Sequence, residues 1–85
     1  MAAKIIKANG LIRDITPAGD TFTLAELQEI VGGYIELVWL PRGMVLVVNE
    51  EGKLKRLPVN VVATELYKAD VVVGDVLLCN ENLIK

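Results

Sequence analysis

The chain contains no histidine. That removes the commonest general base at neutral pH and the commonest zinc ligand. It has one cysteine, Cys79, so an intramolecular disulfide is excluded. Without histidine, a lone cysteine makes neither a thiol-protease pair nor a Cys/His metal cluster. In the run Val76-Leu77-Leu78-Cys79 it reads as a small buried hydrophobe. Neither a Walker loop nor a Rossmann glycine fingerprint is present. Asn49-Glu50-Glu51-Gly52 lacks the alternating oxygen ligands of a calcium loop. Glu50 and Glu51 read as solvated turn charges, and Asp70 and Asp75 as turn residues. No catalytic residue, metal site or cofactor is expected, and the chain is read as not an enzyme.

A basic excess is also missing. Nine Lys and Arg face eleven Asp and Glu, for a net charge of −2. Duplex DNA is therefore not the expected partner, because phosphate neutralisation supplies most of the affinity of such binders. No apolar run approaches the roughly 18 residues needed to span a membrane. The start, Met-Ala-Ala-Lys-Ile-Ile-Lys, does not resemble a signal peptide. A cytoplasmic location is expected. Aromatic residues number only four, so Val, Leu, Ile and Ala must build the core.

What remains is an 85-residue chain that is 53% hydrophobic. It reads as one domain, residues 1–85. A domain of this size buries only about 60% of the surface its unfolded chain exposes. Some of so much aliphatic surface should stay uncovered, which points to a homo-oligomer.

The expected fold class is α+β, a small predominantly antiparallel sheet with a main short helix (24–31) and a second one (61–68). Residues 3–8 and 11–16 flank Asn9-Gly10, a pair suited to a two-residue type I′ turn. That register sets Lys7 opposite Ile12 and Ile5 opposite Asp14, and its pattern does not choose a buried face. Pro17-Ala18-Gly19-Asp20 reads as a turn. Thr23-Leu24-Ala25-Glu26 fits a capping box, with Phe22 before it placed to staple against Leu27. Leu24, Leu27, Ile30 and Val31 make one apolar stripe, and Gly32-Gly33 ends the helix. Residues 34–40 and 44–49 read as a hairpin of nearly continuous apolar strands, covered on both faces or forming an interface. A third, more polar strand is expected over 53–57, with Lys53 and Lys55 on one face. Asn60 caps the second helix. Residues 70–73 and 76–79, around Gly74-Asp75, form either a tight hairpin or one bulged strand. Residues 80–85 read as a tail, in which Leu83 and Ile84 have the option of docking.

One segment has the composition of a binding surface: Arg42, Asn49, Lys53, Lys55, Arg56 and Asn60. Cations beside amide side chains and helix-start N–H groups suit an anionic ligand or an acidic surface. The alternative is an edge strand whose lysines discourage pairing. Tyr34 and Trp39 are expected in the core or an interface.

The runs Leu27-Gln28-Glu29-Ile30-Val31-Gly32-Gly33-Tyr34-Ile35-Glu36, Leu46-Val47-Val48-Asn49-Glu50-Glu51-Gly52-Lys53-Leu54, Leu57-Pro58-Val59-Asn60 and Ala63-Thr64 resemble the domain-of-unknown-function family DUF3846, found in phages and mobile elements. The resemblance covers about residues 24–79. It implies no catalytic residues. It implies an accessory binding protein, a counter-defence factor that binds a host defence protein or sequesters an anionic nucleotide signal. The alternative is a structural or assembly protein without a small ligand. Composition alone predicts self-association through strands 34–40 and 44–49. Light scattering at high micromolar concentration checks it, and a clean monomer there contradicts it.

Overall fold

The computed structural model describes residues 3–84. Met1, Ala2 and Lys85, the ends of the expected 1–85 domain and of its expected tail, lie outside the described residues. Five strands, β1 (Ala3–Ile6), β2 (Ile12–Ile15), β3 (Ile35–Trp39), β4 (Met44–Asn49) and β5 (Val76–Asn80), form one antiparallel sheet in the order β2-β1-β5-β4-β3. Two helices, α1 (Leu24–Val31) and α2 (Val61–Tyr67), complete the α+β fold. No helix among the described residues is long and apolar enough to cross a membrane.

The sheet has apolar clusters on both faces. On the α1 face, Ala3, Ile5, Val45, Val47, Leu77 and Cys79 pack with Leu27, Val31 and Phe22. On the α2 face, Ile6, Leu46, Val48 and Val76 pack with Ala63 and Val72. Strand alternation assigns neighbouring residues to opposite faces, so a strand such as Val45–Val48 is apolar at every position.

Helix α1 starts and stops as its residues dictate. Glu26 N–H donates to the Thr23 hydroxyl and Thr23 N–H to the Glu26 carboxylate, at 3.1 and 2.7 Å. Gly32 ends the helix at φ 82°, the left-handed conformation that glycine adopts without strain. The stripe is narrower than expected, because Leu24 is 59% exposed. Phe22 fills the core at that end, and its N–H donates to the Leu83 carbonyl. Residues 81–83 form a 3₁₀ turn, and Leu83 and Ile84 dock on the core. The C-terminal segment is thus part of the fold.

The first hairpin is one residue out of the expected register. Ile6 faces Ile12 and Lys4 faces Asp14. Lys7 N–H bonds to the Leu11 carbonyl and closes a three-residue loop in which Gly10 has φ 97°. Asn9 instead accepts from Leu11 N–H through its side chain, and Asp75 accepts from Ala8 N–H at 2.9 Å. The hydrophobic pattern chose no face because Ile5 and Ile6 are both buried, on opposite faces.

Residues 53–57 are not a strand. Asn49 Oδ1 accepts from Glu51 N–H and starts a coil of turns. Leu57 N–H reaches the Gly52 carbonyl and Arg56 N–H the Lys53 carbonyl, the closure that follows a left-handed residue, here Arg56 at φ 56°. Leu54 is 83% exposed, so the supposed alternation had no face to bury. Residues 70–75 form neither hairpin nor bulged strand. They run beside residues 58–60 through Asn60 N–H to the Val72 carbonyl and Gly74 N–H to the Pro58 carbonyl, and β5 begins only at Val76. The hairpin of β3 and β4 forms in the expected segments, but β3 is the sheet edge and only β4 is covered on both faces.

Asn60 caps α2 and does more. Fully buried, it accepts from Ala63 N–H through Oδ1 and donates through Nδ2 to the carbonyls of Ile6 and Gly74, each at 2.9 Å for the two donated bonds. Replacing it removes the cap bond and two bonds to interior carbonyls, and a buried polar group left short of a partner costs about 1–3 kcal/mol. Asn60→Ala is therefore expected to destabilise by about 2–4 kcal/mol, against about 1 kcal/mol for the exposed cap in Thr23→Ala. Urea denaturation monitored by circular dichroism checks the ranking. Equal losses would mean that the Asn60 bonds outside the cap contribute nothing.

Candidate functional site

The six residues singled out in the sequence do not converge. Asn60 lies under α2, held as described. Asn49 is 6% exposed, its Nδ2 donating to the Val31 carbonyl at 3.1 Å and its Oδ1 accepting from Glu51 N–H. Both amides are therefore committed to backbone. Arg42 sits at φ 65° in the turn between β3 and β4, at the end of β4 away from Asn49. With about 3.3 Å per strand residue, some 20 Å separate them. Lys53, Lys55 and Arg56 share the coil of turns after β4 and are exposed. Lys53 Nζ donates to Asp70 Oδ2 at 2.6 Å, and Lys55 Nζ lies 3.6 Å from Glu51 Oε1. Two of the four cations thus already have carboxylate partners.

A different arrangement is present where that coil meets α2 and the sheet. A cleft of about 310 Å³ opens on the α2 face, between β3 and β4, the coil, and the segment after α2. Val38, Val48 and Val71–Val73 supply its apolar wall, and Tyr67 closes it from the C-terminal end of α2. Its charged groups are Glu36, Glu50, Asp70 and Lys53. Three carboxylates against one ammonium make it acidic, the opposite sign from the surface expected. Asn49 is at its edge. Reading the sequence missed Glu36, Tyr67 and the role of Asp70. The one signal available was that Glu36 is the lone charge in its strand. The other cleft residues come from separate elements and meet only in the fold.

The Lys53 ammonium holds the Asp70 carboxyl below its ordinary pKa, first through their hydrogen bond, with Val71 N–H adding to it. Glu26 is likewise held low, by the N–H groups of Thr23 and then of Ala18. Burial pushes the Cys79 thiol up to about 11, so at neutral pH it is a protonated, apolar filler and a poor nucleophile. No group of three or more His, Cys, Asp or Glu among the described residues is placed to hold a metal ion.

Fold and site together define a small α+β domain, an antiparallel sheet between two helices with an open acidic cleft on one face. The chain belongs to the family described as a domain of unknown function (DUF3846), whose model matches residues 4–83. No curated protein and no solved structure matches it.

A depressed folded pKa means stability that is present above the unfolded value, about 4 for these carboxyls, and lost as pH falls through the folded value. The stability that these two exposed carboxylates add is therefore present above about pH 4 and falls away below it, as Asp70 and Glu26 protonate. Lys53→Ala should raise the Asp70 pKa toward the ordinary Asp range in a carboxyl-detected NMR titration, with the Val71 N–H bond still holding it below that range. The shift of Glu26 should be untouched. An unchanged Asp70 titration would mean that the ion pair does not persist in solution.

Proposed function

We propose that the chain is a non-enzymatic binding protein whose ligand presents positive charge, a Lys- or Arg-bearing segment of another protein seated in the α2-face cleft. The observation that carries this reading is the sign of the cleft. Glu36, Glu50 and Asp70 line it, and the single cation, Lys53, is already held by Asp70. A lysine or arginine suits such a place, its aliphatic stem against Val38, Val48 and Val71–Val73 and its charged head among carboxylates. An anionic nucleotide, the other partner expected from the sequence, would meet carboxylates where it needs donors. In the phage or mobile-element setting that the family resemblance implies, the reading becomes that of an accessory factor that occupies a host defence protein.

NMR titration with a short Arg/Lys-rich peptide, a Glu-rich peptide and a set of nucleotides tests the proposal. The basic peptide is expected to shift the resonances of Glu36, Val48, Tyr67 and Asp70, with an affinity that falls as salt is raised. Glu36→Gln with Asp70→Asn should weaken it about tenfold or more, the scale of one lost charge-assisted hydrogen bond. Saturable binding of a nucleotide with no response to the basic peptide would sink the reading.

A further inference from the structure

The sheet has two edges, and they differ in kind. β2 presents exposed Arg13 and Asp14 beside Lys4, charges of the sort that discourage another strand from pairing. β3 carries only Glu36 in its five residues, and Tyr34 and Trp39 at its ends are 64% and 59% exposed. The outer side of β3 also has a regular set of backbone groups without a strand partner among the described residues. Leu40 N–H donates to the Met44 carbonyl and Glu50 N–H to the Tyr34 carbonyl. In this register Tyr34, Glu36, Val38 and Leu40 therefore bond to β4, and antiparallel alternation turns the N–H and C=O groups of Ile35, Leu37 and Trp39 outward.

We propose that β3 is a self-pairing edge, to which a second copy of the chain adds antiparallel about a twofold axis at Leu37. Leu37 then faces the partner's Leu37, and Ile35 faces the partner's Trp39. The strand itself selects this register. All three outward residues of each copy take part, giving about six backbone hydrogen bonds. Sliding the copies by two residues one way sets Glu36 opposite Glu36, a like-charge pair that destabilises. Sliding them the other way runs Ile35 onto Pro41, which has no N–H to donate. In the proposed register Glu36 faces Val38, so the lone charge meets no like charge. Both exposed aromatics gain apolar neighbours, Trp39 beside Ile35 and Tyr34 beside Leu40.

The pairing joins two five-stranded sheets into one, with both α1 helices on one face and both clefts on the other. Glu36 and Val38 line the cleft and also face each other across the seam, so the two clefts adjoin it. The inference does not depend on what occupies them. Aromatic side chains bury about 150–250 Å² each when fully covered, and a short strand pair with four of them lies near the low end of specific interfaces, about 1,200 Å². A concentration-dependent dimer is the expected form.

Sedimentation velocity from roughly 5 to 500 μM, bracketing a micromolar Kd, is expected to show monomer passing to dimer. Trp39→Ser should raise that Kd about tenfold or more, as loss of an interface anchor does, and leave the melting of the dilute monomer little changed. Single cysteines report the register, because facing residues in an antiparallel pair lie about 4.5–5.5 Å apart at Cα, within disulfide reach. Mild oxidation should link Leu37→Cys to itself, and Glu36→Cys only when mixed with Val38→Cys, with the buried Cys79 taking no part. A chain that stays monomeric over the whole range overturns the proposal. So does a Glu36→Cys variant that links to itself while the mixed pair does not.

Discussion

A single buried amide holds the α2 side of this molecule together. Asn60 joins three segments that are far apart in sequence: the start of α2 through Ala63, the end of β1 through Ile6, and the approach to β5 through Gly74. All its donated and accepted bonds are inside the protein, where the low local dielectric makes a satisfied bond strong and an orphaned group costly. The position of α2 follows from it, and with α2 the position of Tyr67, the last residue of that helix. Thr64 adds to the same junction by accepting from Val72 N–H at 2.9 Å. The cleft is thus bounded on one side by an element whose placement is specified by hydrogen bonds as well as by apolar packing.

Asn49 does the corresponding work on the other face. Its amide ties the C-terminal end of α1 to the end of β4, and its oxygen starts the coil that carries Lys53. These two asparagines belonged to the surface expected from the sequence. Their burial explains why they make poor ligand contacts: their hydrogen-bonding groups are already committed to backbone groups. The lysines beside them are drawn to Asp70 and Glu51, so the segment that looked basic in the sequence has its lysines paired with carboxylates in space.

Covering both faces of a five-stranded sheet with two short helices leaves the periphery thin. α2 has seven residues and leaves room for an open cleft beside it. At the far edge, β3 has no neighbour among the described residues and keeps its aromatic ends in solvent. The cleft and the free edge share Glu36 and Val38, so whatever pairs with the edge also borders the cleft.

The sequence by itself determined the local elements. The Thr23 capping box, the Gly32 stop, the Asn60 cap and the apolar runs of β3 and β4 each depend on residues within a few positions of one another, and backbone sterics with hydrogen bonding settle such choices locally. The class of the fold followed from them. Tertiary structure decided what depends on distant partners. Asp75 caps Ala8 and helps place the first hairpin, Phe22 takes the core place expected of Leu24, and the docked C-terminal residues cover Phe22. The coil over 50–56 replaced a strand because Asn49 closes a turn at its start and no face buries Leu54. The cleft was illegible for the same reason. Glu36, Glu50, Lys53, Tyr67 and Asp70 come from different elements, and nothing in their spacing along the chain records that folding brings three carboxylates and one lysine around a common hollow.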